Sequence, residues 1–164
     1  VILPLVRFNP LPVARSALLL YADTQRSADM RYFCGFEVHD PFIALRIGDR
    51  SLGVFNALEY GRARKEAALD EVLPLEPLQA AVRKRYPDRR PTPADVILEL
   101  ARERDLHAVT VPEEFPAGLY EALRAAGLKV AVSDGPVFPE RERKSAREAA
   151  AIKAGNACAA AGLA

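Results

Sequence analysis

The chain has 164 residues, about half of them hydrophobic and about a quarter charged, which is enough to bury the core of one globular domain. Its 23 basic and 22 acidic side chains leave a formal net charge of +1, without the basic excess typical of nucleic-acid-binding proteins. No segment approaches the ~20 consecutive apolar residues that a membrane span needs. We therefore predict neither a nucleic-acid partner nor a membrane partner.

The cysteines and the first residues indicate where the protein resides. Cys34 and Cys158 lie far apart and form no CxxC or Cys/His spacing, which is typical of inert thiols in a reducing compartment. Residues 1–12 contain three prolines but neither a basic n-region nor a small-residue cleavage site. We expect a cytoplasmic protein without a signal peptide, and because residue 1 is not Met we expect a trimmed end.

The first predicted elements are a strand and a β-hairpin. Residues 17–21, ALLLY, form a short apolar run typical of a buried strand. Within residues 41–55, two β-rich runs flank Gly48 and Asp49, a pair that can adopt the positive φ values of a tight turn. This pattern predicts two antiparallel strands.

The following segments predict a helix at 57–69, a strand at 70–75 and a helix at 76–86. Gly61 weakens the first helix, and Pro74 belongs at a strand end or a sheet edge. The second helix has one apolar side, because Leu78, Val82 and Tyr86 recur every four residues.

The second half predicts a helix from Thr92, a strand at 107–111, a helix at 115–127 and a strand at 128–135. Thr92 can cap its helix, with Pro93 at the first helical position and Asp95 at the positive helix end. The apolar stripe of that helix comprises Val96, Ile97, Leu100 and Ala101. Gly127 suits the left-handed position after a helix. Strand, helix and strand in so few residues predict a parallel pair with a right-handed crossover.

These elements together predict the fold class α/β, with a single mixed β-sheet flanked by helices. Two charge runs, at 83–91 and 140–144, are typical of solvated surface, because interleaved aromatic rings of the kind that stack nucleic-acid bases are missing.

The last segment predicts a helix with a strong start and a weak apolar side. Ser145 and Glu148 have the S-x-x-E spacing of a capping box. Only Ile152 and Leu163 are large apolar residues after it, and helices take most of their stability from packing. We expect its other face to meet a domain absent from this sequence. The alternative is a C-terminal helix that packs closely through small residues.

Two segments carry a family resemblance. The stretch KSAREAAAIK (144–153) resembles the K-S-x-x-E-x-x-x-I-[KR] junction of Xaa-Pro aminopeptidases, prolidases and creatinases. DMRYFCGF (29–36) is similar to their N-[VI]-R-Y-L-[TS]-G-F segment, with Asp29, Phe33 and Cys34 departing from the pattern. Residues 40–63 resemble the strand, turn, strand and helix that come next in that family.

The resemblance implies a creatinase-type N-terminal domain of ribonuclease-H-like topology over residues 1–144. Residues 145–164 would begin a linker helix into an absent C-terminal catalytic domain. In the family that catalytic domain carries two Asp, a His and two Glu around a divalent metal pair, expected here as Mn, Co or Zn. The N-terminal domain would shape the access of proline-containing peptides and contribute to a homodimer. No catalytic, cofactor-binding or metal-binding residue is expected in this chain itself.

The chain's own chemistry-bearing residues are few. His107, which begins a predicted strand, is expected to be structural rather than a ligand. In YFCGFEVHDP (32–41), treated as a loop, the simplest expectation is that Tyr32, Phe33 and Phe36 pack into the core. In the family the corresponding region can approach an active site. The resemblance therefore suggests the hypothesis that Phe36, His39 and Asp40 line the substrate entrance of the complete enzyme.

Three functional hypotheses follow. The first is a non-catalytic N-terminal domain of a metal-dependent Xaa-Pro peptidase, inactive on its own. The second is a non-enzymatic creatinase-like binding module, and the third is a self-contained α/β protein whose similarity is accidental. The reading frame after Ala164 separates them: the metal-ligand set favours the first, a continuation without it the second, and a stop codon the third.

Overall fold

A computed structural model describes residues 16–163, and over that range the chain forms one six-stranded mixed sheet. The strands are β1 (Ser16–Ala22), β2 (Phe42–Ile47), β3 (Arg50–Phe55), β4 (Glu71–Pro74), β5 (Ala108–Val111) and β6 (Lys129–Val132). The helices are α1 (Ala28–Cys34), α2 (Ala57–Glu66), α3 (Leu75–Arg85), α4 (Pro93–Glu103), α5 (Ala117–Ala125) and α6 (Ala146–Gly162). The predicted fold class is confirmed. The features predicted for residues 1–12 lie outside the described residues.

The strand order is β4-β3-β2-β1-β5-β6, and β2 runs antiparallel to both of its neighbours. The other adjacent pairs, β1 with β5, β3 with β4 and β5 with β6, are parallel. The predicted hairpin is confirmed, with Ile47 opposite Arg50 and Gly48 at a φ of 59° in the turn. The predicted strand that contains Pro74 is the edge strand β4, and Pro74 is its last residue.

The sheet is covered on both faces, because the side chains of each strand alternate between two cores. On one face Leu19, Leu45 and Val109 pack against helices α3, α4 and α5. The four residues of the predicted α4 stripe, Val96, Ile97, Leu100 and Ala101, are all buried in this core. On the other face Leu20 and Phe42 pack with residues of α1, α2 and the segment after β6.

Helix α4 begins with the predicted capping residues. The Thr92 hydroxyl accepts from the backbone N–H of Asp95, and the Asp95 carboxylate accepts from the backbone N–H of Thr92. Arg89 adds two bonds to the same carboxylate, each 2.6 Å long, and its guanidinium lies 4.5 Å from the ring centre of Tyr86. Most of residues 83–91 are exposed, as predicted for solvated surface, but two of their arginines also contact α4. Arg85 pairs with Glu99, and Arg89 pairs with Asp95.

Helix α1 corrects the prediction that residues 32–41 form a loop. The helix extends through Cys34, so Tyr32 and Phe33 are helical. Its ends explain the difference, because Ser27 accepts from the backbone N–H of Met30 and Gly35 ends the helix at a φ of 76°.

The segment after β6 crosses back over the sheet to α1 before α6 begins. Phe138 is buried there, and Arg141 forms an ion pair with Asp29 on α1. Part of the second charge run, 140–144, is thus paired rather than only solvated.

Helix α6 starts with the predicted capping box, in which Ser145 and Glu148 satisfy each other's backbone N–H groups. Every described residue of α6 is exposed, including half of Ile152. The alternative that α6 packs on its own domain through small residues is therefore wrong for the described part of the chain.

Candidate functional site

The turn after β1 holds the segment 35–41 at the edge where β1 and β3 end. The Thr24 hydroxyl donates to the carbonyl of Val38 over 3.0 Å and accepts from its backbone N–H over 2.8 Å. The Asp23 carboxylate accepts from the backbone N–H groups of Gln25 and Arg26. These hydrogen bonds tie the turn to Val38 and fix the backbone on which the predicted site residues lie.

Phe36 is a core residue, with only 5% of its surface exposed. Its ring centre lies 5.8 Å from that of Phe55, and the guanidinium of Arg62 lies 5.7 Å from the Phe36 ring centre. Arg62 also donates to the carbonyl of Glu37 over 3.3 Å and to the Glu59 carboxylate over 2.9 Å. The expected packing of aromatic rings into the core is confirmed for Phe36, whereas Tyr32 remains 43% exposed.

His39 lies on the surface, with its Nδ1 atom 2.7 Å from the amide nitrogen of Gln25. This is a hydrogen-bond distance, and the tautomer of the His39 ring decides which of the two groups donates. The hydrogen bond orients the ring on the rigid turn after β1.

Asp40 lies at the mouth of a cavity of about 120 Å³ next to the end of β3. The cavity lies between the sheet edge and helices α2, α3 and α4. Its polar lining groups come from Tyr21, Asp40, Asn56, Glu59, Gln79 and Thr92. Of the three predicted site residues, Asp40 alone lines this cavity, while Phe36 and His39 do not.

Three helices begin beside the cavity. The N-terminal ends of α2 and α4 are capped by side chains, whereas α3 begins at Leu75 without a side-chain cap. In α2, the Asn56 carboxamide oxygen accepts from the backbone N–H of Glu59, and Glu76 accepts from that of Ala57. In α4 the cap is Thr92. Helix ends attract anions through free N–H groups, and at α2 and α4 side-chain acceptors already occupy such groups. The full charges among the lining residues are the carboxylates of Asp40 and Glu59.

Burial raises the pKa of the Tyr21 hydroxyl above its ordinary value. This phenol therefore stays protonated at neutral pH and can act as a hydrogen-bond donor beside the cavity.

The two histidines do not converge. His107 lies immediately before β5 and is exposed, with its Nε2 atom 3.1 Å from the Asp105 carboxylate. His107 precedes β5, whereas His39 lies beside the turn that follows β1. Because β5 and β1 are parallel, the two histidines lie at opposite ends of the strands. Among residues 16–163 no group of three or more His, Cys, Asp or Glu side chains is arranged to hold a metal ion. The residues described here do not fit the metal pair that the family resemblance implies.

In the part of the chain that the structure describes, no helix combines the length and the apolar character needed to cross a membrane.

The sequence patterns did not reveal the cavity. Its lining residues come from strands, helices and loops far apart in the chain, so their meeting depends on the strand order. Among the lining residues Thr92 is predicted as an N-cap, and Asn56, which stands before a helical pattern, could have been singled out as another.

The chain matches the model of one protein family, the creatinase/prolidase N-terminal domain, over residues 15–136. This confirms the resemblance expected from residues 29–36, whereas residues 144–153 lie beyond the matched range. No curated protein sequence matches the chain.

Solved structures share the fold at low sequence identity. An X-Pro aminopeptidase from Thermotoga maritima matches with a TM-score of 0.60 and 18% identity, covering 79% of this chain and 34% of that protein. An Xaa-Pro dipeptidase from Bacillus anthracis matches with a TM-score of 0.60 and 16% identity, covering 80% and 32%. A prolidase from Pyrococcus horikoshii matches with a TM-score of 0.56 and 16% identity, covering 81% and 32%. The chain thus spans about a third of the length of these proteins.

Proposed function

Because this chain belongs to the creatinase/prolidase N-terminal domain family, we propose that it is the non-catalytic N-terminal domain of a metal-dependent Xaa-Pro peptidase. In this proposal residues 1–144 form the domain, and residues 145–164 lead into a C-terminal catalytic domain of the same protein. The substrates are proline-containing peptides, and the complete protein is a cytoplasmic homodimer.

The observation that carries this proposal is the exposure of helix α6. It is 17 residues long, starts at a complete capping box and buries none of its residues. Isolated helices of about 15 residues are marginal in water and normally depend on tertiary packing. A helix that is well started yet packs on nothing in its own domain is accounted for if it packs on a neighbouring domain.

The metal chemistry belongs to the proposed catalytic domain, with Mn, Co or Zn as the divalent pair. The described residues offer no ligand group for it. Two unlinked thiols, the buried Cys34 and the exposed Cys158, support the proposed cytoplasmic location.

The loop with Phe36, His39 and Asp40 is proposed to shape substrate access. Phe36 anchors the loop from below, and the Gln25 contact holds the His39 ring at the surface. Asp40 contributes a negative charge at the cavity mouth. In this role His39 and Asp40 face an approaching peptide, whereas Phe36 keeps their backbone in place.

The sequence of the reading frame beyond Ala164 tests the proposal directly. A continuation that supplies two Asp, a His and two Glu as metal ligands is the expected result. A continuation without those ligands would instead favour the non-enzymatic binding module, and a stop codon would contradict both.

The role of His39 is tested by kinetics of the complete protein. We expect His39→Ala to change KM for Xaa-Pro peptides while leaving kcat nearly unchanged, because a residue at the entrance acts on binding. His107→Ala is the matched control, since it removes an exposed histidine from the opposite end of the strands. Unchanged kinetics of His39→Ala would count against the access role.

A further inference from the structure

The cavity beside Asp40 combines an apolar interior with a charged mouth. Ile43, Val54 and Val96 line it and are at most 3% exposed, so the inner wall is aliphatic. Its volume of about 120 Å³ is somewhat below that of an apolar cavity of ~150 Å³ that binds benzene. Only a small side chain or ring can enter.

Negative charge dominates the mouth. Asp40 is exposed, and among the described residues no cation forms an ion pair with it. Glu59 also lines the cavity, with its side chain 16% exposed, and Arg62 offsets its charge at 2.9 Å. Among the described residues the Asp40 carboxylate at the cavity mouth therefore has no ion-pair partner. Its negative charge attracts a cation.

The placement of charge also limits the shape of the ligand. The ammonium of a lysine side chain entering the cavity end-on would lie against Ile43 and Val54, where burial of an unpaired charge is costly. In a suitable ligand, the ammonium group is bonded to the same carbon atom that carries a short aliphatic group. Such a ligand can bury the aliphatic group in the cavity while its charge stays at the mouth. The N-terminal residue of a peptide has this arrangement.

We propose that this cavity binds the N-terminal residue of a peptide, with its aliphatic side chain between Ile43, Val54 and Val96 and its α-ammonium group beside Asp40. The inference rests on the proposed function, because it assigns to this domain a contact with the substrate's free amino end. It adds a peptide-binding subsite on the N-terminal domain itself.

The test uses the 164-residue chain labelled with ¹⁵N and two small probes. L-leucinamide carries the aliphatic side chain and, at about pH 6.5, a protonated α-amine. N-acetyl-L-leucinamide has the same side chain without the charge. Titration with L-leucinamide is expected to give saturable amide shifts at the lining residues. The acetylated probe is expected to bind about fivefold more weakly, the upper range for an exposed ion pair.

Two variants distinguish the effect of the Asp40 charge on ligand affinity from the effect of removing any surface carboxylate. Asp40→Asn should weaken L-leucinamide binding about fivefold and leave the acetylated probe unaffected. The matched control is Asp49→Asn, which removes an exposed acid from the hairpin turn and should change neither affinity. Because Asp40 is exposed, its variant is expected to keep the dispersed spectrum of the folded chain.

Three results would overturn the inference: no saturable shift at the lining residues, equal affinity for both probes, or equal affinity of Asp40→Asn and the parent chain. The experiment measures binding by this domain without any catalytic domain. Its failure is therefore distinct from failure of the proposed function, which the reading frame decides.

Discussion

The ring centre of Phe138 lies 5.4 Å from that of Tyr32, which links the segment after the last strand to helix α1. Phe33, also on α1, contacts the same ring at 5.8 Å, and the Arg46 guanidinium lies 5.1 Å from its centre. Only 3% of Phe138 is exposed. This aromatic cluster fixes where the chain leaves the sheet, and it thereby sets the starting point of α6.

Truncation of Phe138 should reveal the strength of that link. We expect Phe138→Ala to lower the free energy of unfolding by about 3 kcal/mol, because the variant removes a buried ring and leaves a cavity. Urea unfolding followed by circular dichroism measures the change. Leu58→Ala is the control, since Leu58 is 83% exposed and should contribute less than about 0.5 kcal/mol. A loss below about 1 kcal/mol for Phe138→Ala would contradict the anchoring role.

Two glycines should respond to alanine in opposite directions. A Cβ atom at Gly53 would lie 2.6 Å from the Phe55 ring and 2.8 Å from a methyl carbon of Leu69. Gly53→Ala is therefore expected to destabilise the chain by about 1–3 kcal/mol through overpacking. A Cβ atom at Gly61, inside helix α2, would meet no atom within 4 Å, so Gly61→Ala should stabilise it by about 0.5–1 kcal/mol. Thermal unfolding of both variants gives the signs, and equal signs would refute the packing explanation.

Stability should depend on pH through the carboxyl group of Asp95. The bidentate Arg89 contact holds its pKa well below the ordinary value. A depressed pKa contributes stability that is fully present above the unfolded-state pKa of about 3.9 and decreases as the pH falls below it. We expect Asp95→Asn to be less stable than the parent chain at pH 7, with a smaller difference at pH 3.

Urea unfolding at both pH values measures this difference. Asp49→Asn, at an exposed position without such contacts, provides the control for the general effect of removing a negative charge. If Asp95→Asn lowers the free energy of unfolding by the same amount at pH 7 and at pH 3, the depressed pKa of Asp95 is not the source of the pH dependence.

Local signals in the sequence were sufficient for much of the fold. The Gly48 turn, the Thr92 cap and the Ser145 capping box each depend on contacts within a few residues, and the structure contains all three. The apolar stripe of α4 could be predicted as well, because the spacing of its apolar residues follows from the period of the helix itself.

Other features depended on contacts between distant segments and could not be predicted. The position of β1 between β2 and β5 joins strands from both halves of the chain. Helix α1 is only seven residues long, too short for a periodic pattern. The cavity beside Asp40 exists because α2, α3 and α4 all pack near the end of β3. This packing joins distant segments, so no local sequence pattern predicts it.

Thiol labelling can test whether α6 is covered in the complete protein. Ile152 is half exposed in the 164-residue chain, so a cysteine introduced as Ile152→Cys in a Cys158→Ser background should label rapidly there. In the product of the full reading frame we expect its labelling to be at least about tenfold slower, because a covered thiol reacts only after local opening.

The native cysteines provide the comparison. Cys158 lies on a different side of α6 from Ile152 at 100° per residue, so its labelling should change less than that of Ile152→Cys. Cys34 is fully buried and burial raises the pKa of its thiol, so it should react only on unfolding. Equal labelling rates of Ile152→Cys in the short and the long protein would show that nothing covers this face.

The most direct test is Mn²⁺-supplemented hydrolysis of Xaa-Pro peptides, both dipeptides and longer ones, measured side by side for the 164-residue chain and for the product of the full reading frame. We predict hydrolysis by the longer product and no hydrolysis above background by the 164-residue chain. Hydrolysis by the 164-residue chain alone, or by neither protein, would contradict the assignment of catalysis to a second domain.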